Sequence, residues 1–171
     1  MNLYLLQTAL RAMLEPLLET LPLPTRPRQT RPEPGQAPTR PARVCVGSLP
    51  AKKEGGEYDA PLVLIQMMSG HDEDGCSCAV VALRLVVWNE DGEAGENDLL
   101  NLMGLLRRAV MPCKQAPLAD KYVLEPDERG HLAPWVRPDE QPPHFLEAYV
   151  LTNWKMQGFE AVGVSGSSAY G

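Results

Sequence analysis

A cluster of prolines near the start of the chain constrains the fold more than any other feature. Proline fixes φ and has no amide hydrogen, so a proline-rich stretch forms neither a helix interior nor a central strand. Seven of the 17 prolines lie between Pro22 and Pro41. Residues 22–43 are therefore predicted to form an extended, exposed arm. The arm follows a predicted N-terminal helix at 1–21 and precedes a core of the same single domain at 44–162, with a flexible tail at 163–171.

The charge of the chain divides between this arm and the rest. The arm contains five arginines and a single acid, Glu33, and so carries +4, which leaves −10 on the other 149 residues because the whole chain carries −6. Broad binding of nucleic acid requires a basic surface, so the acidic body is not expected to grip DNA. The arm is interpreted either as a plain linker or as a segment that docks on an acidic protein surface. Its arginines are Arg26, Arg28, Arg31, Arg40 and Arg43.

Apolar side chains spaced three and four residues apart predict two helices. The first spans residues 2–20, where Pro16 implies a kink or an early end. The second spans residues 97–111, with Asn97 or Asp98 as its N-cap and a proline directly after it.

Strands are predicted where β-branched residues are enriched or where apolar and polar residues alternate. The segments 61–68 and 78–88 are predicted to pair as an antiparallel hairpin across a loop at 71–75. The order of helices and strands predicts an α+β fold, with an antiparallel sheet of about four strands packed by two helices and the Pro/Arg-rich arm after the first helix. The predicted strands are 44–47, 61–68, 78–88 and 145–156, with shorter candidates at 122–124 and 133–136.

Composition excludes several classes of protein. No apolar run approaches the ~18–20 residues that span a bilayer, so no membrane segment is expected. The first residues lack the positive charge and cleavage site of a secretory signal, so none is expected. Four cysteines in 171 residues do not make a disulfide scaffold, and reduced thiols in a cytosolic setting are expected.

The sequence contains no recognisable catalytic or cofactor-binding pattern. None of the three histidines adjoins a serine or cysteine in a nucleophile-elbow context, and no glycine-rich phosphate loop is present. We therefore expect a protein that is not an enzyme and that holds no cofactor. Trp135 lies between Pro134 and Pro138 and is a candidate surface anchor at an interface.

His71, Cys76 and Cys78 form a cluster that could bind zinc. The Cys-x-Cys spacing lacks the two-residue gap of common zinc loops, and no second pair follows it. A hairpin turn with unrelated cysteines is therefore the preferred interpretation. The acids at 71–75 and at 89–96 are interpreted as solvated, because no glutamate follows at the spacing of an EF-hand loop. They are Asp72, Glu73, Asp74, Glu90, Asp91 and Glu93.

The order of segments resembles a known family. An apolar strand at 61–65, an acidic glycine loop and a strand at 79–88 are followed by a second acidic loop and the helix that begins near Asn97. Trp135, a proline-bounded linker at 138–143 and a strand at 145–154 complete the pattern. Over about residues 44–160 this order and spacing is similar to the tail terminator (tail completion, neck) proteins of long-tailed bacteriophages and prophages.

The resemblance implies an α+β protomer that assembles into a hexameric ring. Such a ring caps the tail tube and joins it to head-completion or neck proteins, while DNA passes through the lumen without specific binding. It implies a virion protein, assembled in the host cytoplasm, with no catalytic residue, metal or cofactor. The two acidic loops become candidates for the lumen or a ring face, and the arm becomes a contact with a neighbouring subunit or a neck partner.

Two alternatives stay open. One is a different neck or minor tail component of the head-closure type. The other, from a different class, is a small enzyme or metal-binding regulator that uses His71, Cys76 and Cys78.

Overall fold

The computed structural model describes residues 2–26, 38–48, 59–73 and 75–157. Within these residues the chain forms two α-helices, one short 3-10 helix and eight strands. The helices are α1 (Leu3–Leu18) and α2 (Gly92–Val110), and α2 continues into the 3-10 helix at Met111–Lys114. The strands are β1 (Pro22–Pro24), β2 (Thr39–Pro41), β3 (Arg43–Val46), β4 (Leu62–Glu73), β5 (Cys76–Trp88), β6 (Tyr122–Glu125), β7 (Trp135–Val136) and β8 (Phe145–Gln157).

Six of the strands form one mixed sheet. Its order is β3-β4-β5-β8-β6, and β7 also pairs with β8. The α+β class with two helices is confirmed. The predicted sheet is wrong in two respects, because it has six strands and because β3 runs parallel to β4. Both strands begin at the same end of the sheet, with Arg43 beside Leu62, and such a pairing leaves no trace in the pattern of a four-residue strand.

The predicted hairpin is confirmed, since β4 pairs antiparallel with β5 from Leu62 to Glu73, with an irregularity between Met67 and Ser69. β8 in turn pairs with every residue of β5. The predicted loop at 71–75 is wrong at its start, because His71 and Asp72 continue β4 and lie opposite Cys78 and Ser77. The chain reverses near Gly75, whose φ of +81° favours glycine.

The helices cover one face of the sheet and bury the main core there. Asn2 caps α1 by accepting a hydrogen bond from the Leu5 amide at 3.2 Å. Pro16 lies in the last turn, so it marks the approaching end of the helix at Leu18. Leucines four residues apart form the buried stripe of α1, and they are Leu6, Leu10, Leu14 and Leu18.

The second helix begins earlier than predicted. Asp91 is its N-cap and accepts hydrogen bonds from the Glu93 and Ala94 amides, both at 2.9 Å. The predicted loop at 89–96 and the predicted caps Asn97 and Asp98 are therefore wrong, because the helix already starts at Gly92. Two glycines in the first turns lower the helix propensity and hide this start from sequence reasoning.

The ends of the proline-rich arm form a two-stranded antiparallel ribbon, in which Leu23 lies opposite Arg40. The ribbon is extended, as predicted, but Leu23 is only 1% exposed and packs in the main core. The prediction of a fully exposed arm is therefore wrong at this point. Residues 27–37, and the predicted flexible tail at 163–171, lie outside the described residues.

Candidate interaction surfaces

The acidic clusters lie at opposite ends of the sheet. Asp72 is near the turn that joins β4 to β5, whereas Glu90 and Asp91 follow the other end of β5. The thirteen residues of β5 separate them by about 40 Å at ~3.3 Å per residue. The two clusters therefore belong to different regions of the molecular surface and cannot act as one site within a single chain.

At the hairpin end, Asp72 is exposed and lies opposite Ser77. A hydrogen bond from the Ser77 side chain lowers the pKa of Asp72, so this carboxylate stays charged in mildly acidic solution. Glu73 ends β4, and its side chain is not among those described, while Asp74 lies outside the described residues.

At the other end, the acids are built into the start of α2. Asp91 caps the helix, and Glu93 occupies the first turn, where the helix dipole favours negative charge. Glu90, Asp91 and Glu93 are all exposed. Glu96 contacts the guanidinium of Arg137 and so belongs to an ion pair within the chain. The exposed acids therefore form a compact acidic surface beside the first turn of α2.

Two of the five arm arginines are held by the body of the protein. Arg40 Nη2 donates to Asp59 at Oδ1 (3.1 Å) and at its carbonyl oxygen (2.9 Å). Arg43 Nη1 lies 3.3 Å from the other carboxylate oxygen of Asp59. Arg26 is exposed, whereas Arg28 and Arg31 lie outside the described residues. The structure therefore fixes one end of the arm to the core through Asp59.

Trp135 lies at the surface, with 48% of its area exposed, and its neighbour Val136 is 51% exposed. Both residues form β7, which pairs with β8. Trp135 borders a groove of about 500 Å³ that is also lined by Arg107 and His131. An exposed aromatic side chain on a short, fixed strand is a suitable anchor for a partner.

A second groove runs along the outward side of α2 and encloses about 710 Å³. Leu100 and Gly104 form its apolar part, and Arg107, Arg108 and Lys114 form its basic end. Arg107 Nε donates to the Ala133 carbonyl at 3.1 Å, while Arg108 and Lys114 are exposed. The sequence shows these cations, but their grouping beside an apolar groove depends on the 3-10 helix after α2.

The face of the sheet away from the helices has a second, smaller apolar cluster at one end. Its members are Ala60, Leu62, Leu64, Val86, Trp88 and Phe145. Next to it, Arg84 donates to Glu147 Oε2 from Nε at 3.0 Å and from Nη2 at 2.7 Å. The Glu147 amide donates to Gln141 Oε1 at 2.8 Å, which fixes the linker against β8. Sequence reasoning missed this pair, because its members are 63 residues apart.

The candidate metal ligands are brought partly together. His71 and Cys78 lie opposite each other on β4 and β5, and Cys76 precedes Cys78 by two residues on β5. Among the described residues, no group of three or more His, Cys, Asp or Glu side chains is arranged to hold a metal ion. The metal-binding alternative therefore gains no support from the arrangement of these side chains.

No protein-family model matches the chain, and no curated protein matches it. In the described part of the chain, no helix is long and apolar enough to cross a membrane.

Proposed function

We propose that this chain is a tail terminator of a long-tailed bacteriophage or prophage. In this role it forms a ring, of about six copies, that caps the tail tube and joins it to head-completion or neck proteins. The observation that carries the proposal is the order of segments: a long hairpin, an acidic start to a helix, a proline-bounded linker and a long final strand. In the structure the hairpin and the final strand are neighbours in one sheet, and α2 packs against both β5 and β8.

The distribution of charge supports passage of DNA without binding. Among the described residues, the exposed acid Asp72 lies at one end of β5 and the exposed acids of α2 lie at the other, about 40 Å away. If β5 runs along the ring axis, six copies place a circle of Asp72 carboxylates at one face of the ring, and the acids of α2 lie toward the other face. Carboxylates repel phosphates, so DNA would pass without being held. We expect no band shift of duplex DNA with the purified chain at physiological salt, and tight binding would contradict this part of the proposal.

The assembly itself is tested with the tail-tube protein of the same virus. Purified full-length chain is mixed with assembled tubes and imaged by electron microscopy. We expect a ring with a central opening at one end of each tube. A monomeric chain and bare tube ends at high concentration of both proteins would overturn the proposal. Binding to isolated heads but not to tubes would instead favour a head-closure protein.

A further inference from the structure

The outward side of α2 carries a stripe that the core does not use. Glu93, Asn97, Leu100, Gly104 and Arg108 follow one another at spacings of three and four residues and therefore lie on one side of the helix. The buried residues of α2, such as Leu99 and Leu106, lie on the other side. Leu100 is 43% exposed, which makes it a large apolar side chain outside the core.

Gly104 lies in the middle of this stripe and has no side chain. A Cβ atom added there would meet no heavy atom within 4 Å, so packing within the chain does not require glycine. Glycine lowers helix stability, and a partly exposed helix position without a packing demand normally favours another residue. Because glycine has no Cβ, Gly104 beside the exposed Leu100 allows another molecule to approach the helix backbone closely.

The two ends of the stripe carry opposite charges. Glu90, Asp91 and Glu93 lie at its start, and Arg108 and Lys114 lie at its end. Glu93 and Arg108 are separated by about 22 Å at 1.5 Å per helical residue, so they cannot meet within one chain. Each end is therefore available to a second molecule with the complementary charge.

We infer that the acidic start of α2 in one copy of the chain docks in the basic groove at the end of α2 in a neighbouring copy. The occupant is a second copy because this chain itself carries an exposed acidic surface that complements the groove. The acidic end and the groove are different surfaces, and such head-to-tail contacts form a ring when the rotation between neighbouring copies closes. The inference rests on the proposed ring, for which it assigns one subunit contact.

Charge reversal tests this contact. We expect Glu93→Lys and Arg108→Glu each to weaken self-assembly on tubes by about tenfold or more, because like charges then face each other. An equimolar mixture of the two variants should assemble like the wild type, since the reversed acid of one variant meets the reversed base of the other. Assembly is measured by light scattering and electron microscopy. Glu90→Lys reverses the charge of an acid just before α2 and serves as a second variant if Glu93→Lys impairs folding.

Matched controls reverse exposed charges elsewhere. Glu128→Lys and Arg129→Glu change the net charge by the same amounts in the loop after β6, and they should assemble normally. Gly104→Gln supplies a second test, because it favours the helix but fills the groove. We expect a higher melting temperature together with weaker assembly.

The outcomes separate the contact from the ring. If the wild type forms rings and the single reversals do so equally well, the contact is wrong while the ring proposal stands. If the wild type forms only dimers that the reversals disrupt and the mixture restores, the contact stands while the ring proposal fails. Reversals that disrupt assembly without rescue by the mixture, or a wild type that never self-associates on tubes, overturn the contact.

Discussion

The ion pair between Arg84 and Glu147 provides a direct test of how the second face of the sheet is stabilised. Both side chains are largely buried, with 17% and 8% of their areas exposed, and two N–H groups of the guanidinium donate to one carboxylate oxygen. The guanidinium also lies 5.6 Å from the centre of the Tyr149 ring. The perturbation is Glu147→Gln, which preserves size but removes the charge that neutralises Arg84.

We expect this substitution to lower the free energy of unfolding by about 3 kcal/mol. Removing one partner of a buried pair leaves an uncompensated charge and costs roughly 3–5 kcal/mol. We expect the lower end of this energy range because Arg84 keeps some access to water and stays near the Tyr149 ring. For a chain of this size, ~3 kcal/mol corresponds to a fall in melting temperature of roughly 6–12 °C. Urea denaturation and calorimetry measure both quantities.

Two further variants make the result specific. The double variant Arg84→Met with Glu147→Leu removes both charges and should lie within about 1 kcal/mol of the wild type. The exposed pair of Arg11 and Glu15 in α1 is the matched control, and Glu15→Gln should cost less than about 0.5 kcal/mol. A loss below about 1 kcal/mol for Glu147→Gln, or a double variant less stable than the single one, would refute the reasoning.

Three other predictions concern α2, the loop after β6 and the arm. Gly104→Ala should stabilise the fold by about 1 kcal/mol. Gly95→Ala should be less stable than Gly104→Ala by roughly 1–3 kcal/mol, because a Cβ atom at residue 95 would lie 2.8 Å from a Leu146 methyl carbon. Urea denaturation measures the difference in unfolding free energy, and equal effects of the two substitutions would contradict this prediction. Asp127 accepts hydrogen bonds from the His131 and Arg129 amides, and these bonds lower the pKa of Asp127. The charged carboxylate therefore stabilises the fold above the usual pKa of 3.8, and this stabilisation is lost as the pH falls through the lowered pKa. Asp127→Ala should therefore speed hydrogen exchange of those two amides at neutral pH but not in strong acid, and unchanged exchange at neutral pH would count against this role. Deleting residues 27–37 should leave the melting temperature unchanged but impair head–tail joining, and normal joining in a complementation assay would favour the plain linker.

The long elements could be predicted from the sequence because each carries its own pattern. The valine-rich β5 and the alternating β8 are long enough for the pattern to exceed chance, and the hairpin followed from two such strands around an acidic turn. Their pairing with each other is a tertiary feature, since β5 and β8 are far apart in the chain.

The remaining elements depend on information that is not local. The start of α2 was missed because Gly92 and Gly95 lower helix propensity, and Gly95 is favoured there by its close approach to β8. The parallel pairing of β3 was missed because a four-residue strand does not reveal its direction. The buried ion pair arises only when β5 and β8 meet, so Arg84 alone gave no signal, whereas the basic groove depends on how the 3-10 helix continues α2.

The proposed ring on the end of the tail tube is tested most directly by counting the copies of this chain there. Electron microscopy of tubes saturated with the full-length chain gives the symmetry and the opening of the terminal density. We predict a closed ring of about six copies, with a central opening wide enough for duplex DNA. Tube ends without added density, or a terminal density closed across its centre, would contradict it.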